Sequence, residues 1–112
     1  MWVVAACEGM ISLFEKTPAG ALALRAEGGG PVFSSLEEFQ RSMDRAEQVH
    51  AFDRLIIVGS GSDIAWVHST LPEAMARHIA AEIKYPLLPA WFRQAAPLSG
   101  LTHALESVFT TH

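Results

Sequence analysis

The sequence predicts an α/β fold, a mixed five-stranded sheet in the order 3-2-1-4-5 with helices on its faces. Three observations carry that expectation. Residues 1–26 hold short β-forming runs separated by Gly- and Pro-bearing turns, the pattern of an antiparallel meander. Leu55-Ile56-Ile57-Val58 is an uninterrupted aliphatic run, as expected of a strand covered on both faces. Amphipathic segments of helical period separate and follow the later strands, so the chain reads β-β-β-α-β-α-β-α. Right-handed crossovers then set the fourth strand beside the first and the fifth beside the fourth, the ribonuclease H-like arrangement.

Trp2-Val3-Val4-Ala5-Ala6-Cys7 is rich in β-formers and predicts a buried first strand. Glu8-Gly9 supplies a tight turn, because glycine accepts the positive φ that such reversals need. In the second strand, Met10–Lys16, Ile11, Leu13 and Glu15 alternate with Met10, Ser12 and Phe14. Thr17-Pro18-Ala19-Gly20 turns the chain into a third strand over 21–26. Gly28-Gly29-Gly30-Pro31 breaks the pattern, and Ser35 followed three residues later by Glu38 forms a capping box that opens a helix. Leu36, Phe39, Met43 and Ala46 share one face of it, whereas Glu37, Glu38, Arg41, Asp44, Arg45 and Glu47 belong to the solvent side.

Gly59-Ser60-Gly61-Ser62 ends the fourth strand, with Ser62 expected to cap a short helix over 63–68. Leu71-Pro72 begins another helical turn, proline standing where its missing N–H does no harm. Ile79, Ala81 and Ile83 alternate with Ala80, Glu82 and Lys84, which predicts a half-exposed fifth strand. Pro86 and Pro89 punctuate a loop bearing Trp91 and Phe92. Leu98, Leu101, Leu105, Val108 and Phe109 predict a final amphipathic helix. No repeat or linker interrupts residues 1–112, so one domain is expected.

Composition narrows the function classes. Among 112 residues, 50% are hydrophobic and 18% charged, which leaves apolar surface to hide and favours a homo-oligomer. A net charge of −4 disfavours binding to free nucleic acid or an anionic membrane. Cys7 is the single cysteine, so neither an internal disulfide nor a cysteine-rich zinc site is available, and a reduced, cytoplasmic setting is expected. The apolar run 1–7 is too short and lacks the basic leader of a signal peptide. No run approaches the roughly 18 apolar residues of a membrane span.

Several segments together resemble the bacterial host-attachment protein family. Trp2-Val3-Val4-Ala5-Ala6 leading to Phe14-Glu15 is similar to that family's opening, and Phe52-Asp53-Arg54-Leu55-Ile56-Ile57-Val58 to its central strand. Leu71-Pro72-Glu73-Ala74-Met75 followed by Ala80-Ala81-Glu82-Ile83 is similar to its next helix and strand. The resemblance spans residues 2–85. It implies kinship with the middle domain of archaeal and eukaryotic peptide chain release factors, and the same ribonuclease H-like topology. In release factors a Gly-Gly-Gln loop before the first long helix brings glutamine to the ester bond of peptidyl-tRNA. Here that slot holds Gly28-Gly29-Gly30, flanked by Glu27. Glycine has no side chain for the contact, although its N–H can still meet a water or an oxyanion. Gly28, Gly29 and Gly30 are therefore candidates for ester hydrolysis, set against the plainer reading of a permissive strand-to-helix connection.

Other constellations fall short of a mechanism. A two-metal nuclease needs clustered carboxylates, yet Glu8 ends the first strand while Asp53 precedes the fourth, at the opposite edge of the sheet. Gly59, Ser60, Gly61 and Ser62 lie where exposed N–H groups can hold an anion. They lack the Lys-Ser or Lys-Thr of a P-loop and the spacing of a dinucleotide fingerprint, and Asp63 adds a negative charge. A simple helix cap explains them as well. Ser60 is not set in the Gly-x-Ser-x-Gly frame of a strained nucleophile, and His50, His68, His78, His103 and His112 show no zinc spacing. Trp66, Trp91 and Phe92 have only Arg93 beside them, which argues against a base-stacking surface and for packing. Trp91 and Phe92 are the expected contact with a second subunit.

The expected function is a non-catalytic interaction module, homodimeric, with a ribosome or translation component as partner through the family resemblance. The alternatives are a peptidyl- or aminoacyl-tRNA ester hydrolase using Gly28, Gly29 and Gly30, or an anion or nucleotide binder at Gly59, Ser60, Gly61 and Ser62. No cofactor, metal or membrane partner is expected.

Overall fold

The computed structural model describes residues 1–17, 21–25, 32–33, 35–49, 53–93 and 99–111. Trp2–Cys7 (β1), Met10–Lys16 (β2), Leu22–Arg25 (β3), Leu55–Gly59 (β4) and Ile79–Lys84 (β5) form one five-stranded sheet in the order β3-β2-β1-β4-β5. β1, β2 and β3 pair antiparallel, whereas β1–β4 and β4–β5 are parallel. The sheet is therefore mixed, in the order expected from the sequence.

The meander starts with a hairpin in which Cys7 pairs with Met10 across Glu8 and Gly9. Both turn residues are left-handed, Glu8 at φ 48° and Gly9 at φ 81°, as the twist of a two-residue hairpin requires. For Glu8 that conformation costs about 1 kcal/mol, so something must hold it. β3 starts at Leu22 rather than at 21, and its pairing with β2 is described from Leu22 to Arg25, Ala26 lying outside the described residues. Farther along β2, Phe33 pairs with Ile11, and its ring meets Phe39 edge-on at 5.5 Å.

Helices cover both faces. Leu36–Gln48 (α1), Gly61–Thr70 (α2) and Glu73–Ala76 (α3) supply one side; Pro89–Phe92 (α4) and Ser99–Thr111 (α5) supply the other. Period-two alternation divides β1 between them. Trp2, Val4 and Ala6 meet Phe39 and Met43 of α1 and Ile64 and Val67 of α2 in one cluster. Val3, Ala5 and Cys7 join Phe14, Phe92, Leu101 and Leu105 in the other. Double coverage also explains Ser12, fully buried in β2, where simple alternation reads it as a polar break. At the rim, Lys16 Nζ lies 4.6 Å from the centre of the Phe109 ring.

Ser35 caps α1 as expected, its Oγ accepting the Glu38 N–H at 3.2 Å. α2 starts earlier and runs longer than 63–68, and its cap is Ser60 rather than Ser62. Pro72 stands at the N-cap of α3, one place before the expected position. The expected loop around Pro89 closes instead into α4, with Pro89 in its first turn. Leu98 and the Gly28-Gly29-Gly30 stretch lie outside the described residues. Among the described residues, no helix is long and apolar enough to cross a membrane.

Candidate functional site

Parallel strands aim their carboxyl ends in one direction, and in open α/β sheets ligands gather there. At that edge β1 ends in Cys7, β4 in Gly59 and β5 in Lys84, with the Glu8-Gly9 turn and the start of α2 beside them. The two glycines flanking Ser60 do different work. A Cβ on Gly59 would stand 2.7 Å from the Ala6 carbonyl oxygen and 3.3 Å from Asp63 Cβ, so close approach of β4 to β1 requires glycine. A Cβ on Gly61 would meet nothing nearer than Lys84 Cε at 3.8 Å.

Asp63 organises the cluster. Ser60 Oγ accepts the Asp63 N–H at 3.2 Å and donates to Asp63 Oδ2 at 2.7 Å. The Ser62 hydroxyl lies 3.2 Å from the same Ser60 Oγ. Across the edge, the left-handed Glu8 donates its N–H to Asp63 Oδ1 at 3.2 Å. One carboxylate thus closes the α2 cap and holds the strained β1–β2 turn. At Gly59, Ser60, Gly61 and Ser62, the stretch that reads as an alternative anion site or as a helix cap, the Ser60 hydroxyl bonds a carboxylate of the chain itself. The pattern Ser60-x-x-Asp63 carries the signal for this cap in the sequence; the bond to Glu8, 55 residues away, has no local signal.

Cys7 adjoins the same edge, buried, and its Sγ donates to the Leu87 carbonyl at 3.3 Å. Burial pushes the thiol above its ordinary pKa, the negative charges of Asp63 and Glu8 push it further, and Arg93 opposes them. Burial, a raised pKa and the bond to Leu87 all favour the protonated thiol packed at this edge.

The remaining candidates are scattered. Asp53 Oδ1 lies 4.0 Å from the Met1 amino nitrogen, at the start of β1 and so at the far end from Glu8. His68 pairs with Glu82 at 3.3 Å, and His78 lies near Glu47 at 3.8 Å. Among the described residues, no three His, Cys, Asp or Glu side chains gather as metal ligands. A shallow hollow lined by Glu73, Ala74 and Arg77 sits on α3, away from the carboxyl edge. Phe92, expected at a subunit contact, is 3% exposed and packs inside its own chain, while Trp91 is half-buried against the same cluster. α4 turns Phe92 inward, and Leu88, just before it, stands 52% exposed. Gly28, Gly29 and Gly30 are outside the described residues.

No protein-family model, curated protein or solved structure matches the chain.

Proposed function

We propose that this chain is a non-catalytic, self-associating interaction module, kin to the host-attachment and release-factor-related proteins and a partner of the translation machinery. The supporting observation is the state of the carboxyl edge. Its one carboxylate hub, Asp63, is bonded to Ser60 and to the Glu8 N–H, and its one thiol donates to a carbonyl. Groups fixed in this way hold the fold together and leave little to act on a substrate. The family resemblance points to the ribosome, and the sparse charge points to contact with protein.

Two measurements test the reading. Sedimentation equilibrium is expected to show an oligomer, and purified ribosomes are expected to carry the protein into the pellet. A monomer absent from the pellet rejects the proposal. Turnover of peptidyl-tRNA that Gly29→Val and Gly30→Val abolish would replace it with the hydrolase reading. A second reading has its own observation: Lys84 Cε lies 3.8 Å from the Cβ position of Gly61, placing a cation beside the exposed start of α2. An anion there would raise the melting temperature with millimolar phosphate or nucleotide, and Lys84→Ala would remove the rise.

A further inference from the structure

The outer edge of β5 is unpaired among the described residues. Tyr85 donates its N–H to the Gly59 carbonyl at 2.9 Å, so Tyr85, Ile83 and Ala81 aim their backbone groups at β4. Glu82 and Lys84, in the regular part of the strand, therefore aim theirs outward, as a template for another strand. We propose that β5 pairs antiparallel with β5 of a second copy, in the register centred on Ile83, joining two sheets into one. The inference rests on the self-association reading above and deepens it by naming the surface and the partner.

Charge selects the register. Centred on Ile83, a two-fold axis sets Glu82 opposite Lys84 of the other copy, and Lys84 opposite Glu82, as two reciprocal ion pairs. Centring on Glu82 would oppose two glutamates, and centring on Lys84 two lysines. Centring on Ala81 sets Glu82 opposite Ala80 and Lys84 opposite His78. That register also runs across the irregularity between Leu55 and Ile56, where Ala80 is the extra residue on β5. Only the Ile83 register combines opposite charges with the regular part of the strand.

The hydrogen bonds and the apolar face agree with it. Glu82 and Lys84 have outward backbone groups, so they form the hydrogen-bonded pairs, and Ile83 faces Ile83 at a non-hydrogen-bonded position. Ala81 falls opposite Tyr85. Ala81, Ile83 and Tyr85 are half-buried against the second core cluster, and a neighbouring strand would extend that apolar row. Glu82 and Lys84 stand exposed on the α2 side, where Glu82 already meets His68.

The test combines oligomeric state, charge exchange and cross-linking, with circular dichroism confirming that each variant folds. The wild-type chain is expected to sediment as a dimer. Glu82→Lys and Lys84→Glu should each weaken it by about thirtyfold, turning two attractions into two repulsions, and the double exchange should restore it. Ile83→Cys should form an intermolecular disulfide under mild oxidation, because directly opposed non-hydrogen-bonded residues stand about 4.5 Å apart. Ala81→Cys should not. A monomer at about 1 mM overturns both this surface and the self-association reading. A dimer insensitive to the charge exchanges, or one that Ala81→Cys links as readily as Ile83→Cys, overturns the β5 surface alone.

Discussion

Gly59→Ala offers the sharpest check on how the carboxyl edge is built. The added methyl would stand 2.7 Å from the Ala6 carbonyl oxygen, and that oxygen is backbone in a strand buried along its whole length. It cannot swing aside as a flexible side chain would. Relief requires β1 and β4 to separate, which strains the ladder where Ala5 pairs with Val58, or Asp63 Cβ to retreat from 3.3 Å. Overpacking of this kind costs about 3 kcal/mol, the upper part of its usual range, because the opposing atom is fixed. Reduced freedom of the unfolded chain returns about 1 kcal/mol, leaving a net loss of about 2 kcal/mol. Gly61→Ala is the internal control: its methyl has open space, so it should gain about 0.5 kcal/mol. Urea denaturation should move the two midpoints in opposite directions with unchanged slopes, and the Gly59→Ala melting temperature should fall by about 8 °C. If both variants unfold within about 0.5 kcal/mol of each other, the close approach of β4 to β1 is refuted.

Ser60→Ala removes both the cap and the hydroxyl donor to Asp63 and should cost about 1–2 kcal/mol, whereas Ser62→Ala should stay within about 0.5 kcal/mol in the same urea assay. Phe92→Ala should lose about 3 kcal/mol, the mark of a core residue, and a variant of wild-type stability would return Phe92 to the surface. Cys7 governs an alkaline limb. Its thiol is raised in the folded chain, so the folded state holds the proton where the unfolded state releases it. Its contribution is complete below the ordinary thiol pKa and is lost as pH climbs through the raised one. Thermal melts across that window should fall for the wild-type chain and fall less steeply for Cys7→Ala. Equal slopes would refute the assignment.

Much of the architecture is legible in the chain because it depends on local pattern. The aliphatic run at Leu55 to Val58, buried throughout, the alternation at Ile79–Lys84 and the Ser35–Glu38 start of α1 each mark one element through its own neighbouring residues. The failures also have physical causes. Ser60 has Asp63 three residues on, whereas Ser62 has Ala65, and Asp63, bonded to Ser60 and to the Glu8 N–H across the edge, makes Ser60 the cap. Pro86 and Pro89 read as loop punctuation, yet proline in a first helical turn helps to close α4, and the second core cluster receives Phe92. For the candidate site, Gly59, Ser60, Gly61 and Ser62 stand out in the sequence as a strand-to-helix turn, but the bond from Glu8 to Asp63 does not.

By itself the sequence determined the five strands and the longer helices, their order and, through the handedness of crossovers, the strand order, because period and chirality act over a few residues or are common to all chains. Only the tertiary structure decided which groups at the carboxyl edge are already bonded. It brought Asp63 to Glu8, the Cys7 thiol to Leu87 and Gly59 against Ala6, contacts between residues that are distant in the chain and meet only when the sheet assembles. The bond from Glu8 to Asp63 joins residues 55 apart, so no local pattern could have placed that carboxylate.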